Sequence, residues 1–359
     1  MKVALVYDRV NKWGGAERVL LSLHKAFPQA PLYTSVYDKK NAPWAKAFRV
    51  KTSFLQHIPF LSSHHELIPF LMPFAFMSFS FEKYDMVISV TSEYAKGIRT
   101  KGKTKHVCIC LTPTRYLWSG YDEYFAHPFF RFVSLPVVWL LRKWDVYSAQ
   151  FPDAYIAISQ EVQKRIKKYY KQESRVLYPP VVLRKKVKEN PLLAKNFFLV
   201  VSRLSRFTSY KRVDLAVKAA TKLGASLVVV GNGNVHQYKK ISGPTVQFFG
   251  NVSDEELSLY YQHCQALIFP GFEDFGLAMV EALSFGKPVI AYGKGGALEI
   301  ITDGKTGKLF GTQTVAALVK VLKNFRVSTY NTDACKKNAA KFSEKVFIRS
   351  IKKFISEAK

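Results

Sequence analysis

Ala266-Leu267-Ile268-Phe269-Pro270-Gly271-Phe272-Glu273-Asp274-Phe275-Gly276-Leu277-Ala278-Met279-Val280-Glu281 passes from a short apolar run, through a loop, into an apolar helical pattern. Four apolar residues stopped by Pro270-Gly271 read as a buried strand, and Leu277–Phe285 reads as a helix. A strand that feeds a helix this directly is half of a βαβ unit. In such sheets ligands lie beyond the carboxyl ends of the strands. The backbone N–H groups near Gly276 open the helix along its dipole, which suits phosphate oxygens or sugar hydroxyls. An acidic first turn accounts for Glu273 and Asp274. Glu281, inside an otherwise apolar helix face, needs another explanation.

The same grammar extends outward in both directions. Strands are predicted at Val3–Tyr7, Leu32–Val36, Met86–Val90, His106–Leu111, Tyr155–Ile158, Phe197–Val201, Leu227–Val230, Val246–Phe249 and Pro288–Ala291. Helices fall between them at Glu17–Phe27, Gln160–Tyr170, Arg212–Leu223 and Glu255–His263, the last opened by a Ser253/Glu256 capping box. Tyr178-Pro179-Pro180 and the charge run Arg184-Lys185-Lys186 interrupt the alternation and predict a linker. The expected architecture is α/β, with two Rossmann-like βαβ domains facing each other across a cleft. They span 1–182 and 196–337, joined by 183–195, and a basic helix is predicted from Asn338 to Glu357.

The length of 359 residues fits two domains at about 150 residues each. Hydrophobic residues at 48% and charged residues at 22% exclude wholesale disorder. Lys and Arg number 54 against 26 acids, a balance that calls for an anionic partner. Residues 160–188, 336–359 and Lys96 to Lys105 concentrate this charge, and together they suggest one electropositive surface. Cys108 and Cys110 alternate along an apolar run as buried strand residues, which fits a reducing cytoplasm. The opening Val3-Ala4-Leu5-Val6-Tyr7 is too short for a signal peptide, and no apolar stretch reaches the roughly 18 to 20 residues of a spanning helix. Phe54 to Phe81 and Pro128 to Ala149 are aromatic on several sides. They read equally as core or as an apolar lip touching lipid, with Phe74, Phe76 and Phe79 among its members.

Arg203 ends a strand and Lys211 opens a helix, so both direct a cation towards the cleft, where a diphosphate leaving group needs it. No Asp-x-Asp pair occurs, so side-chain cations rather than a divalent metal are expected to do this work. Gly231-Asn232-Gly233-Asn234 lacks the third glycine of a dinucleotide fingerprint, since His236 stands in that place. Trp13-Gly14-Gly15-Ala16-Glu17-Arg18 follows the first strand and lets a ligand approach the backbone.

These residues resemble the retaining glycosyltransferases of GT-B fold that carry a Glu-x7-Glu motif, family 4 of the carbohydrate enzymes. Gly14-Gly15-Ala16-Glu17 is similar to the family's glycine loop, Arg203 and Lys211 to its diphosphate pair, and Glu273 through Glu281 to its donor-sugar motif. Thr112-Pro113-Thr114-Arg115-Tyr116-Leu117-Trp118, Tyr178-Pro179-Pro180, Lys211-Arg212-Val213-Asp214 and Gly293 through Glu299 resemble the O-antigen mannosyltransferase-like branch, which implies GDP-mannose as donor.

The resemblance implies that Glu273 and the backbone at Phe275, Gly276 and Leu277 hold the hexose, while Glu281 holds the ribose. Arg203 and Lys211 take the diphosphate, with Arg206 as a substitute for Arg203 because the intervening loop is long. Gly231, Asn251 and Val252 lie near the donor, the last two by its base. Gly14, Gly15, Glu17, Arg115 and Tyr116 belong to the glycine loop and acceptor side, and the resemblance further implies that the helix from Asn338 packs back on the first domain. Relatives place a histidine where this chain has Leu111, which cannot hydrogen-bond a sugar. That departure favours a silent glycan- or lipid-binding protein as the alternative. The expected partners are a nucleotide sugar, a glycan or lipid-linked acceptor and an anionic membrane surface, with the protein peripheral on the cytoplasmic face. Nucleic acid binding is not expected, since only the charge speaks for it.

Overall fold

The computed structural model describes residues 1–58, 69–183, 187, 196–204 and 210–357. Of the expected linker 183–195, only Leu183 and Val187 fall among them. The chain divides into unit 1, Met1–Pro180 with Lys345–Lys359, and unit 2, Val181–Glu344.

Unit 1 is built on β1 (Val3–Tyr7), β2 (Leu32–Thr34), β3 (Val50–Thr52), β4 (Met86–Thr91), β5 (Lys105–Cys110), β6 (Ala154–Ala157) and β7 (Arg175–Val176). They pair in parallel in the order β3-β2-β1-β4-β5-β6-β7. β1 is buried along its whole length because helices cover both faces of a parallel sheet. Among its helices are α1 (Gly15–Ala26), α2 (Met72–Met77), α3 (Pro128–Ser148) and α4 (Gln160–Tyr170). Ser159 caps α4 by accepting from the Val162 amide.

In unit 2, β8 (Phe198–Val201), β9 (Leu227–Val230), β10 (Val246–Phe249), β11 (Ala266–Phe269), β12 (Val289–Tyr292) and β13 (Gly307–Phe310) form a second parallel sheet, ordered β10-β9-β8-β11-β12-β13. It carries α5 (Val213–Leu223), α6 (Asp254–His263), α7 (Leu277–Ser284), α8 (Val315–Asn324) and α9 (Thr332–Ala340). The Ser253/Glu256 capping box is formed at α6.

The single helix expected from Asn338 to Glu357 is instead two. α9 stops at Ala340 and α10 (Glu344–Glu357) starts after a turn. Buried Phe342 anchors that turn, its ring 5.5 Å from Phe275. From Lys345 the chain belongs to unit 1, where Arg175 pairs with Glu357 at 2.7 Å and lies over the Phe354 ring.

Four residues expected at the surface are corrected. Lys96 and Arg165, counted in the basic clusters, are buried. Phe76 is fully buried, and Phe79 packs against Tyr33, Phe76 and Phe81, so of the three candidate lip residues only Phe74 is exposed.

Candidate active site

In the second sheet the strand order reverses between β8 and β11, and the crevice past their carboxyl ends is where doubly wound sheets bind ligands. The residues there are Arg203, exposed just beyond β8, and the loop from Pro270 to Gly276 beyond β11. Lys211 Nζ meets Glu273 Oε1 at 2.7 Å, with both side chains largely buried.

Glycines make this approach possible. A Cβ on Gly271 would lie 2.6 Å from Lys211 Cα, so any larger residue would push the lysine backbone away. Gly276 caps α7 at φ +99, a left-handed conformation that glycine adopts without strain. Gly296 packs so closely that a Cβ would sit 2.1 Å from the Phe275 carbonyl oxygen, and its amide donates to the Glu273 carbonyl at 3.0 Å. The segment carrying Glu273, Asp274 and Phe275 is therefore clamped from both sides. Phe275 is itself buried, and Leu277 is half-buried at the first turn of α7.

Glu281 lies on the second turn of α7 and is almost completely buried. The Tyr261 hydroxyl donates to its Oε2 at 2.8 Å, which answers the question its apolar surroundings raised. Tyr261 was missed in the sequence; it stands in α6, and nothing in its spacing points to α7. Gly231 abuts the backbone of Ser202, where a Cβ would lie 1.7 Å from the carbonyl oxygen, so this glycine joins the ends of β8 and β9. Exposed Asn251 accepts from the Asn232 amide at 2.5 Å, and Val252 beside it is half-buried. Arg206 lies outside the described residues. Among the described residues no three His, Cys, Asp or Glu side chains are grouped to hold a metal ion.

In unit 1 the corresponding reversal falls between β1 and β4. Asp8, directly after β1, is buried and accepts from the Thr91 hydroxyl at 2.8 Å and from the amides of Ser92, Glu93, Tyr94 and Ala95. Burial, then Glu93, pushes its pKa up, against the pull of those amides. Gly14 and Gly15 open α1, and Glu17 is buried beneath them, accepting from the Tyr7 hydroxyl at 2.7 Å. Burial and then Glu17 raise the Tyr7 pKa.

Arg115 and Tyr116 follow β5, with the Tyr116 hydroxyl 2.5 Å from that of Tyr94. Beneath them sits a buried ion pair invisible to the sequence reading. Lys96 Nζ lies 2.6 Å from Asp145 Oδ1 of α3, and Asp145 also accepts from Thr114 Oγ1 and Trp118 Nε1, each at 2.7 Å. Burial alone would lower the Lys96 pKa; Asp145 outweighs it and the net shift is upward. Leu111 follows β5 and hydrogen-bonds Thr91 through its backbone amide.

Residues 184–342 match the family described as glycosyl transferases group 1. The match lies within unit 2. Curated relatives agree over partial lengths. An uncharacterized glycosyltransferase of Methanocaldococcus jannaschii is 29% identical over 171 residues, 45% of this chain and 46% of its own. A GDP-mannose-dependent alpha-mannosyltransferase of Corynebacterium glutamicum is 32% identical over 111 residues, 31% of this chain and 27% of its own. The chain thus spans about half, or less, of the length of these curated relatives. The crystal structure of HepE from Anabaena, in complex with UDP and glucose, covers 99% of both chains with a TM-score of 0.72 at 20% identity. That likeness shows the fold, a pair of Rossmann-like domains arranged as two parallel sheets in the GT-B manner.

Proposed function

We propose that the protein is a retaining hexosyltransferase that needs no divalent metal and moves mannose from GDP-mannose to a glycan or lipid-linked saccharide at the cytoplasmic face of a membrane. The observation that carries this reading is the Lys211–Glu273 pair at 2.7 Å, beyond the carboxyl ends of β8 and β11 and next to the N-terminus of α7. A cation, a carboxylate and a helix N-terminus in one crevice match the parts of a sugar diphosphate.

In this reading Lys211 and Arg203, with Arg206, meet the diphosphate. Glu273 and the amides of Phe275 and Gly276 orient the hexose, and Glu281 holds the ribose. The bond from the anomeric carbon to the phosphate oxygen breaks while the acceptor hydroxyl adds to the same face. The departing phosphate oxygen accepts the hydroxyl proton, and the cations stabilise the charge left on it. The name of the Corynebacterium relative supports GDP-mannose. The UDP and glucose bound to HepE favour a second reading, a UDP-sugar donor.

Thermal melting of the chain with GDP-mannose, UDP-glucose, UDP-N-acetylglucosamine and GDP separates the two, because a ligand of the folded state raises stability with concentration. GDP-mannose should give the largest rise. No rise with any of the four overturns the donor reading, and transfer abolished by chelator and restored by manganese overturns the metal-free mechanism.

A further inference from the structure

In its amino-terminal half, from Pro128 to Leu140, α3 is predominantly apolar and exposed, with Arg131 and Ser134 its polar residues and Val138 turned inward. Phe129 and Phe130 are each 65% exposed and Phe132 is 74% exposed, with Val133, Leu135 and Leu140 also open to solvent. A helix on the surface of a soluble domain turns its apolar stripe inward. Here that stripe exists only further along, as Val138, Leu141, Asp145 and Ser148. So large a contiguous apolar surface marks an interaction site.

We propose that this half of α3 is a wedge that enters one leaflet of an anionic bilayer and seats unit 1 on it. Its depth is right: ten helical residues rise about 15 Å, half of a hydrocarbon core about 30 Å thick. No helix among the described residues is long and apolar enough to cross a membrane.

The charges select lipid over a second copy of the chain. On α3, Lys143 is exposed, Arg131 pairs with Asp122 at 2.9 Å, and the one carboxylate, Asp145, is buried against Lys96. The sequence of unit 1 holds 31 basic and 14 acidic side chains, so two such faces would repel each other while anionic headgroups would attract both. Trp139 is exposed with Lys143 Nζ 3.8 Å over its ring, the aromatic and basic pairing that suits the headgroup level. Phe74 of α2, 60% exposed, adds to the apolar surface; α2 and α3 share one core and both pack on the Ala95–Gly97 turn.

The inner side of the same helix grips the segment after β5. Asp145 holds Thr114 and Trp118, and Arg142 Nε donates to the Leu117 carbonyl at 2.7 Å. A seated wedge therefore keeps the Thr114–Trp118 segment at the bilayer surface. This deepens, and rests on, the reading of a membrane-bound acceptor, although its test needs no transfer.

The full chain is sedimented with vesicles of phosphatidylcholine alone, and of phosphatidylcholine with phosphatidylglycerol, at low and high salt. The parent should bind the anionic vesicles, and Phe129→Ser/Phe130→Ser/Phe132→Ser should bind them more than about tenfold less. Phe132→Asp alone repeats the comparison with a single surface change. Circular dichroism and the melting rise with nucleotide sugar report that each variant is folded. Absence of parent binding at low salt, or equal binding by parent and variants, overturns the wedge and leaves the transferase reading standing. A parent that is dimeric in solution, becomes monomeric in the variants and ignores vesicles overturns it in favour of self-association. Failure of every nucleotide sugar to raise the melting temperature counts against the transferase reading only.

Discussion

Lys211 and Glu273 hold each other at 2.7 Å although 61 residues of chain separate them. Gly271 is what lets the two loops come this close. In the proposed reaction, removing the cation takes away the stabilisation of a departing phosphate, and it leaves a largely buried carboxylate without this ion pair. Lys211→Met should lower kcat by about 10²- to 10³-fold, the usual loss for one electrostatic donor. Glu273→Gln should also lower kcat, with KM for the donor nearly unchanged. Steady-state kinetics in the two variants provide the check.

Glu281 should behave in the opposite way. Glu281→Ala is expected to weaken nucleotide binding about tenfold, or ~1.4 kcal/mol, with a smaller effect on turnover of bound donor. Tyr261→Phe removes the hydroxyl that donates to its Oε2 and should cost ~1–3 kcal/mol of stability. Calorimetric titration with GDP and a melting curve distinguish the two effects.

The Lys96–Asp145 pair is buried, and breaking it leaves one uncompensated charge. Lys96→Met should destabilise by ~3–5 kcal/mol in urea unfolding. Asp145→Ala should cost at least as much, because Thr114 and Trp118 lose their acceptor too. Changes under about 1 kcal/mol in both would contradict a buried, charged pair.

His106 gives the acid limb of stability. It is fully buried, its Nε2 2.8 Å from Ser89 Oγ, and burial pushes its pKa down to about 3 despite Asp153. In the unfolded chain an imidazole takes a proton near pH ~6.5. Below that point the unfolded state binds a proton that the folded state refuses. This contribution to stability therefore falls as pH drops from about 6.5 towards 3, at ~1.4 kcal/mol per pH unit. His106→Gln keeps a partner for Ser89 without titrating, so its stability should vary less steeply over that window in unfolding curves measured at several pH values.

Much of the fold was legible because parallel strands buried on both faces are continuous apolar runs, as Val3–Tyr7 and Leu227–Val230 show. The short edge strand Val50–Thr52 was not, since three half-buried residues carry no periodic signal. The loop from Pro270 to Gly276 could be read because its glycines, acid and helix start are contiguous. Tyr261 and Asp145 could not, since each meets its partner across a long stretch of chain. Nor does a lysine's letter reveal its surroundings: Lys96 sits in a run of exposed basic residues, yet its own side chain is inside. The segment Pro128 to Ala149 left core and lip equally open, and only the packing showed that its first half has no protein to cover it.

Asp8 bears on how many nucleotides the proposed transferase would carry. The two sheets repeat one winding, and each reversal presents backbone amides that suit an oxyanion. In the first sheet the amides just past β4 are taken by an internal carboxyl group, a built-in plug that no phosphate can displace there without unpicking four main-chain contacts and a threonine. Duplication of the scaffold therefore does not double its capacity: titration with donor should saturate at one equivalent per chain.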